Sequence, residues 1–475
     1  MASVASAMSL KRKLTLLGAF SFGYADVGAG LYLTLGLVAL HAGSAAPLAY
    51  ALASVAYVFT ALTYAELASS IPEAGGGFVY ARKAFGEPWG FVTGWSLILD
   101  YVVTTAIFAL ASVGYLGYFL PMLHDVPYFN VAAFLFVSLL VVLNVLGIKQ
   151  SAVFSSALVV ANLVGIIAVF IVGFGSPNFQ LPVLTFGSGG NVMGFLYGTS
   201  IAMASFLGIE VISQTAEETK LAGVTIPRAV FLVSAAVVGI SVAFSTLAVS
   251  ILPSETIASS FKDPAVAVAA ELRFGEILAF WVAIMGFVVC LVATNAGIVG
   301  VSRMIYSMSS SELIPKWLGK LHSRTKTPYR AIVIFAAFQL ALAFLGQMGL
   351  AADLYNFGAL LSYMFVNLSL IVLRMKEPDR FRPFYLRGSV EVPGGKKRMT
   401  LPLVPILGFI SAGVIWLLVV FTHETGRLLG FVWLLVGFGI YALKRRKRLG
   451  VSGPAKGSGR EAGQSPSLSS SSLPT

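Results

Sequence analysis

The stretch SIAMASFLGIEVISQTAEETK, residues 200–220, decides how the chain is read. It closes an apolar block near 191–213, matching the roughly 20 residues needed to cross about 30 Å of hydrocarbon. Inside that block stand a glycine, Gly208, and an acid, Glu210. A charge at the centre of a membrane helix costs at least about 2.5–3.5 kcal/mol, so an acid in a span marks a functional site by default. The block then gives way to the polar run Ala216-Glu217-Glu218-Thr219-Lys220.

The first apolar block, near 14–40, has a similar form, with Asp26 two residues ahead of Gly28-Ala29-Gly30. Two glycines in three residues weaken a helix, and a break survives in a bilayer only where it faces protein or a solvated cavity. Broken helices set half-helix N-termini beside the midplane, where free N–H groups and the positive dipole end receive a carboxylate. The carbonyls freed on the other side suit an ammonium group or a metal cation, so one zwitterion satisfies both ends. The alternative is that Gly28 and Gly30 only let helices approach closely. A third mid-span acid, Asp100, lies half-way along the block near 88–119. No lysine or arginine sits mid-span as a partner. Asp26, Asp100 and Glu210 must each be protonated, hydrogen-bonded in a cavity or paired with a bound cation. A carboxyl bonded to backbone N–H groups freed by the breaks is the structural alternative for each.

Twelve such blocks run along the chain, near 14–40, 46–70, 88–119, 128–147, 152–174, 191–213, 229–252, 277–302, 330–346, 352–373, 401–421 and 428–443. Of the 475 residues 57% are hydrophobic and only 11% charged, with a mean hydropathy of +0.87. A soluble domain carries about 25% charged residues, so this chain lacks the charge to cover a water-facing surface. The net charge of +12 sits in the short segments between blocks, which favours a membrane over nucleic acid. The single cysteine, Cys290, excludes an intrachain disulfide, and the four scattered histidines have no metal-ligand spacing. The first block is too long for a signal h-region and is read as a retained span. The Ser-, Gly- and Pro-rich tail, 450–475, is expected to be disordered.

With the N-terminus placed in the cytoplasm and the blocks alternating, 29 of the 32 basic residues fall on the inside; Lys262, Arg273 and Arg427 fall outside. That is the positive-inside pattern. It places both termini in the cytoplasm of a multi-pass protein of the cell membrane.

Five segments resemble the amino acid–polyamine–organocation superfamily of permeases. They are Gly28-Ala29-Gly30-Leu31-Tyr32; Tyr64-Ala65-Glu66-Leu67 with Pro72-Glu73-Ala74-Gly75-Gly76-Gly77 and Ala84-Phe85-Gly86-Glu87; Phe206-Leu207-Gly208-Ile209-Glu210 with Ala216-Glu217-Glu218-Thr219-Lys220 and Ile226-Pro227-Arg228-Ala229; Asn295-Ala296-Gly297, Ser302-Arg303, Leu313-Ile314-Pro315-Lys316 and Thr327-Pro328-Tyr329; and Arg382-Pro383-Phe384. Together, in order, they cover most of the chain. The resemblance implies an all-α polytopic protein of twelve transmembrane helices with the LeuT-type fold. On it, 1–13 is a cytoplasmic N-terminus, 14–174 (helices 1–5) and 191–373 (helices 6–10) are inverted repeats, and 401–443 holds two accessory helices. Asp26, Gly28, Ala29, Gly30, Asp100, Thr104, Ser205, Phe206 and Gly208 become candidates for substrate binding, and Glu210 and Asn162 for coupling.

Some proton-coupled members carry a lysine near the position of Asn162, which cannot change charge. Some carry an aromatic gate two residues before Phe206, where this chain has Ala204, so an aromatic lid falls to Phe206. Leu99-Asp100-Tyr101-Val102-Val103-Thr104 resembles the helix 3 segment of potassium–proton symporters of the same superfamily, which also carry an aspartate in helix 1; their helix 6 threonine is replaced by Leu207. Glu66, Glu73, Glu217 and Glu218 are read as solvated or gate-forming ion pairs with Arg82, Lys83, Lys220 or Arg228. The leading expectation is a permease for amino acids or related amines, working by alternating access and coupled to protons, with sodium or potassium as the alternative coupling ions. The rivals are an inorganic cation symporter using Asp26, Asp100, Thr104 and Glu210, and a non-transporting membrane protein or membrane enzyme. No cofactor is expected, and the expected partners are a small solute, an ion and the lipid bilayer, with no nucleic acid.

Overall fold

Apolar runs set the helix lengths, and Pro, Gly and short polar turns set the ends. The computed structural model describes residues 12–451 apart from 126, 178, 183, 185–190, 261–263, 346–347 and 393–398. The N-terminal residues to 11, the tail from 452 and Lys262 lie outside the described residues. Helix α1 (Leu16–Ala42) starts behind Thr15, whose hydroxyl accepts the Gly18 N–H at 3.4 Å, as an N-cap does. After α2 (Ala46–Ser70) and the short α3 (Gly77–Phe85) comes α4 (Glu87–Leu116); α2 and α4 each carry a proline in the first turn, where the missing N–H is harmless. Then follow α5 (Tyr128–Leu146), α6 (Ile148–Phe174), α7 (Val192–Ala202), α8 (Glu210–Gln214), α9 (Ala222–Ile251), α10 (Ser254–Ser259) and α11 (Pro264–Ala270). The chain continues through α12 (Gly275–Ser310), α13 (Tyr329–Leu345) and α14 (Met348–Lys376). A small antiparallel hairpin, β1 (Ser389–Val392) with β2 (Met399–Pro402), precedes α15 (Leu403–Thr422) and α16 (Glu424–Val451). Gly450, expected at the start of a disordered tail, therefore lies within the last turn of a helix.

Among the described residues, ten apolar stretches are long enough to cross a membrane. The first, Leu16–Ser70, holds both α1 and α2, and α13 is a further, shorter apolar helix. The molecule is a multi-pass helical membrane protein. Its helices divide by what they face. The apolar window of α4 is wholly enclosed by protein, whereas those of α5, α6, α15 and α16 are mostly uncovered. They present side chains such as Leu139, Val164, Ile171 and Leu435 outward. Such a surface suits hydrocarbon and would aggregate in water. Helix α12 packs along α4 and α1, and α14 along α4 and α15. Helix α1 also lies against the turn between α7 and α8. These contacts bring α1, α4, α14 and the α7–α8 junction around one enclosed point.

One of the two expected breaks is present. The apolar block near 191–213 divides at the α7–α8 junction, but α1 runs as an unbroken 27-residue helix through Gly28-Ala29-Gly30. The expectation of a broken helix 1 is corrected here. A Cβ on Gly30 would sit 2.4 Å from the Ser205 Cα, and one on Gly28 3.2 Å from the Tyr24 ring. The glycine at 30 lets α1 press backbone to backbone on the broken partner, which is the close-packing role of small residues in membrane helices.

Candidate substrate and ion site

The site forms where α7 unwinds. Helix α7 ends at Ala202, a tighter 3-10 turn carries Met203–Phe206, and Leu207 is extended. Gly208 then takes φ +119°, and helix resumes at Glu210. That backbone conformation is strained for any residue with a side chain. Space forbids one as well, because a Cβ on Gly208 would lie 2.7 Å from the Asp26 carboxyl carbon. The Asp26 carboxyl of α1 thus rests directly on the broken backbone.

Glu210 folds back over the same break. The Gly208 N–H donates to Glu210 Oε2 at 3.2 Å, and the Tyr363 hydroxyl of α14 donates to that oxygen at 2.9 Å. The Asp100 carboxyl of α4 lies within electrostatic reach of both Glu210 and Asp26. Thr104, one turn on, donates to the Asp100 carbonyl at 2.8 Å and stands 3.3 Å from its Oδ1. Tyr101 and Tyr355 are within electrostatic reach of all three acids. Asp26 and Asp100 are 1% exposed and Glu210 0%, so bulk water screens none of them.

Three carboxyls from α1, α4 and α8 therefore converge, and among the described residues none forms an ion pair with a lysine or arginine. Among the described residues, Asp26 Oδ1, Asp100 Oδ2, Glu210 Oε1 and the Tyr101 hydroxyl have no hydrogen-bond partner. Two unit charges 4 Å apart repel by about 4 kcal/mol at an effective dielectric constant near 20. Carboxylates are also acceptors only. A cluster of this kind is at rest only with protons or a cation among its oxygens.

The other candidates have partners of their own. The Ser205 hydroxyl lies 2.6 Å from Thr34 Oγ1, which in turn is 2.8 Å from the Tyr50 hydroxyl, joining the unwound turn to α1 and α2. The ring of Phe206 is fully buried against Tyr57 and Tyr50 of α2, turned towards that helix. Asn162 of α6 accepts from the Tyr24 hydroxyl at 2.8 Å and donates to the Tyr32 hydroxyl at 3.2 Å, so it ties α1 to α6. The backbone of Gly28-Ala29-Gly30 stays within the helix. The tyrosines were missed in the sequence. Polar rings at 101, 355 and 363 inside apolar blocks were the available signal, since a buried hydroxyl needs a partner.

The ion pairs at the polar helix ends differ in part from expectation. Glu73 pairs with Lys83 as expected. Glu66 does not use the basic residues near it in sequence. It is held by Arg374 and by Arg382 at 3.3 Å, and accepts the Leu386 N–H at 2.8 Å. Glu218 pairs with Arg303 of α12 at 2.9 Å, both ends buried. The Glu218 carbonyl accepts the Lys13 and Leu14 N–H groups, which pins the segment before α1 to this point. Arg382, its side chain largely buried on the loop after α14, has its pKa lowered, chiefly by loss of hydration.

A model of the amino acid permease family matches residues 14–442. The chain is 29% identical to a branched-chain amino acid permease of Bacillus subtilis, over 94% of this chain and 96% of that protein. It is 30% identical to a low-affinity putrescine importer of Escherichia coli K12, over 91% and 93%. It is 27% identical to a methylthioribose transporter of Bacillus subtilis, over 89% and 90%.

Proposed function

The chain belongs to the amino acid permease family, and on that premise we propose that it is a proton-coupled secondary transporter for amines and amine-bearing amino acids, working by alternating access. One observation carries this reading: three buried acids meet at a helix break with no basic residue among the described residues to neutralise them. An ammonium group supplies what they lack, a positive charge and several N–H donors. The names of two of the three relatives support the solute class, since putrescine carries ammonium groups and branched-chain amino acids carry one, whereas methylthioribose carries none. The twelve-span topology, the inverted repeats at 14–174 and 191–373, the accessory helices at 401–443 and cytoplasmic termini form the framework of the proposal.

In this reading Asp26 and Asp100, with Thr104, receive the ammonium group. A substrate carboxylate turns to the unwound segment at Ser205, Phe206 and Gly208, because α1 keeps its own N–H groups bonded across Gly28-Ala29-Gly30. Glu210 couples transport to the ion. It holds the Gly208 N–H, so a substrate carboxylate and an ionised Glu210 compete for one donor. A proton on Glu210 weakens its claim and frees the donor, which makes proton and substrate binding mutually favourable. Asn162 positions α1 and carries no proton.

The test is uptake of radiolabelled amines and amino acids by proteoliposomes under imposed proton, sodium and potassium gradients in turn. Proton-driven accumulation of an amine or amino acid, lost in Asp26→Asn, is expected. A second reading has its own support, because three carboxyls and the Thr104 hydroxyl make an all-oxygen set suited to a hard cation. Uptake of potassium with indifference to every amine and amino acid would favour it and end the first reading.

A further inference from the structure

A cleft of about 610 Å³, remote in sequence from the acids, is lined by basic side chains. It lies between the end of α12 and the start of α13. The connecting loop is fastened over the helix end. Ser309 Oγ donates to the Pro315 carbonyl at 3.0 Å and accepts the Gly319 N–H at 3.2 Å, and Arg330 reaches the Trp317 carbonyl at 3.4 Å. Lys316, Lys320, Lys326 and Arg330 line the cleft against one acid, Glu312, which pairs with Lys316. The cleft thus has a surplus of positive charge and of N–H donors.

We propose that this cleft binds a phosphate diester, supplied by the headgroup of an anionic phospholipid. Lysine and arginine are the phosphate-binding side chains, one as a point charge and the other as a planar fork. The membrane is the favoured source because of depth. Arg330 is the second residue of the apolar helix α13, so the cleft opens where hydrocarbon gives way to headgroups. Trp317, 53% exposed at its rim, is the residue type that settles at that level. Basic pockets between membrane helices bind anionic headgroups. The same α12 carries Arg303, so an occupant would rest on the helix that bonds Glu218.

The experiment is native mass spectrometry of the full chain in detergent, titrated with phosphatidylglycerol and with zwitterionic phosphatidylcholine. A second arm measures thermal shift with glycerol 3-phosphate and inorganic phosphate in water. At about 1 kcal/mol per basic side chain near an anionic headgroup, K320Q/R330Q should hold phosphatidylglycerol roughly 30-fold more weakly. K320Q alone should lose about 5-fold; Lys320 makes no hydrogen bond among the described residues, so this variant leaves the loop intact. K220Q/R228Q removes equal charge from exposed positions outside the cleft and should bind as the parent does. Equal loss in that control, or no preference for phosphatidylglycerol over phosphatidylcholine in the parent, overturns the site. Binding of glycerol phosphate, lost in K320Q/R330Q, without any preference for the anionic lipid overturns the membrane source.

Discussion

Substituting alanine at Gly30 and, separately, at Gly28 distinguishes close packing from anion capture in helix α1. At Gly30 the new Cβ would meet the Ser205 Cα at 2.4 Å, the Ala204 carbonyl oxygen at 3.0 Å and the Ser205 carbonyl carbon at 3.1 Å. Carbon atoms in contact sit about 3.5–4.0 Å apart, so α1 must withdraw by about 1 Å from backbone that cannot rotate aside. Overpacking of this kind costs about 1–3 kcal/mol, which is roughly a 5- to 150-fold loss in the population of the packed state. At Gly28 the nearest atoms belong to the Tyr24 ring, at 3.2–3.4 Å, and a ring tilts by a few tenths of an ångström. Alanine there also gains about 0.5–1 kcal/mol of helix preference, so Gly28→Ala should be close to neutral. Thermal unfolding in detergent and equilibrium substrate binding report the two effects. Gly30→Ala should melt lower and bind weakly, while Gly28→Ala matches the parent. Equal stability of Gly30→Ala and parent would refute the packing argument. A folded Gly28→Ala that no longer binds would restore substrate capture by a broken helix 1.

Glu210→Gln keeps the shape of the proposed coupling residue and removes its charge, so exchange of labelled substrate should persist while proton-driven accumulation disappears; accumulation surviving in this variant but not in Asp26→Asn or Asp100→Asn would reverse their roles. Arg303→Met strands a buried Glu218 and should destabilise the protein by about 3–5 kcal/mol, with most of the loss recovered in Arg303→Met/Glu218→Met; a double variant as unstable as the single would refute the buried pair, by chemical denaturation. A cysteine at Ser472, on a Cys290→Ser background, should resist an impermeant thiol reagent in intact cells, and labelling there would overturn the topology.

The positions of the membrane helices were legible in the sequence because the bilayer acts on consecutive residues. A run near 128–147 is apolar on all sides, and hydrocarbon thickness alone sets its length; α5 covers Tyr128–Leu146. The three acids were legible for the same reason, since an ionisable group inside such a run has no ordinary explanation. The break in the block near 191–213 was also readable from Gly208. The break in helix 1 was misread from the same kind of signal, because glycine permits both an unwound turn and a close approach. Only the distance from Gly30 to Ser205 separates the two. Glu66 shows the other limit: its partner Arg374 is 308 residues away, and no local spacing carries such a pairing.

The sequence by itself determined that this is a multi-pass membrane protein of the permease family and that Asp26, Asp100 and Glu210 are its exceptional residues. Cost per residue in hydrocarbon is a local quantity, so it leaves its mark on the local sequence. The tertiary structure decided that the three acids share one enclosed point, that Tyr363 and the Gly208 N–H hold Glu210 there, and that α1 stays helical against the break. Those facts depend on how helices far apart in the chain pack together, and packing is a property of pairs of surfaces that no single stretch of sequence contains.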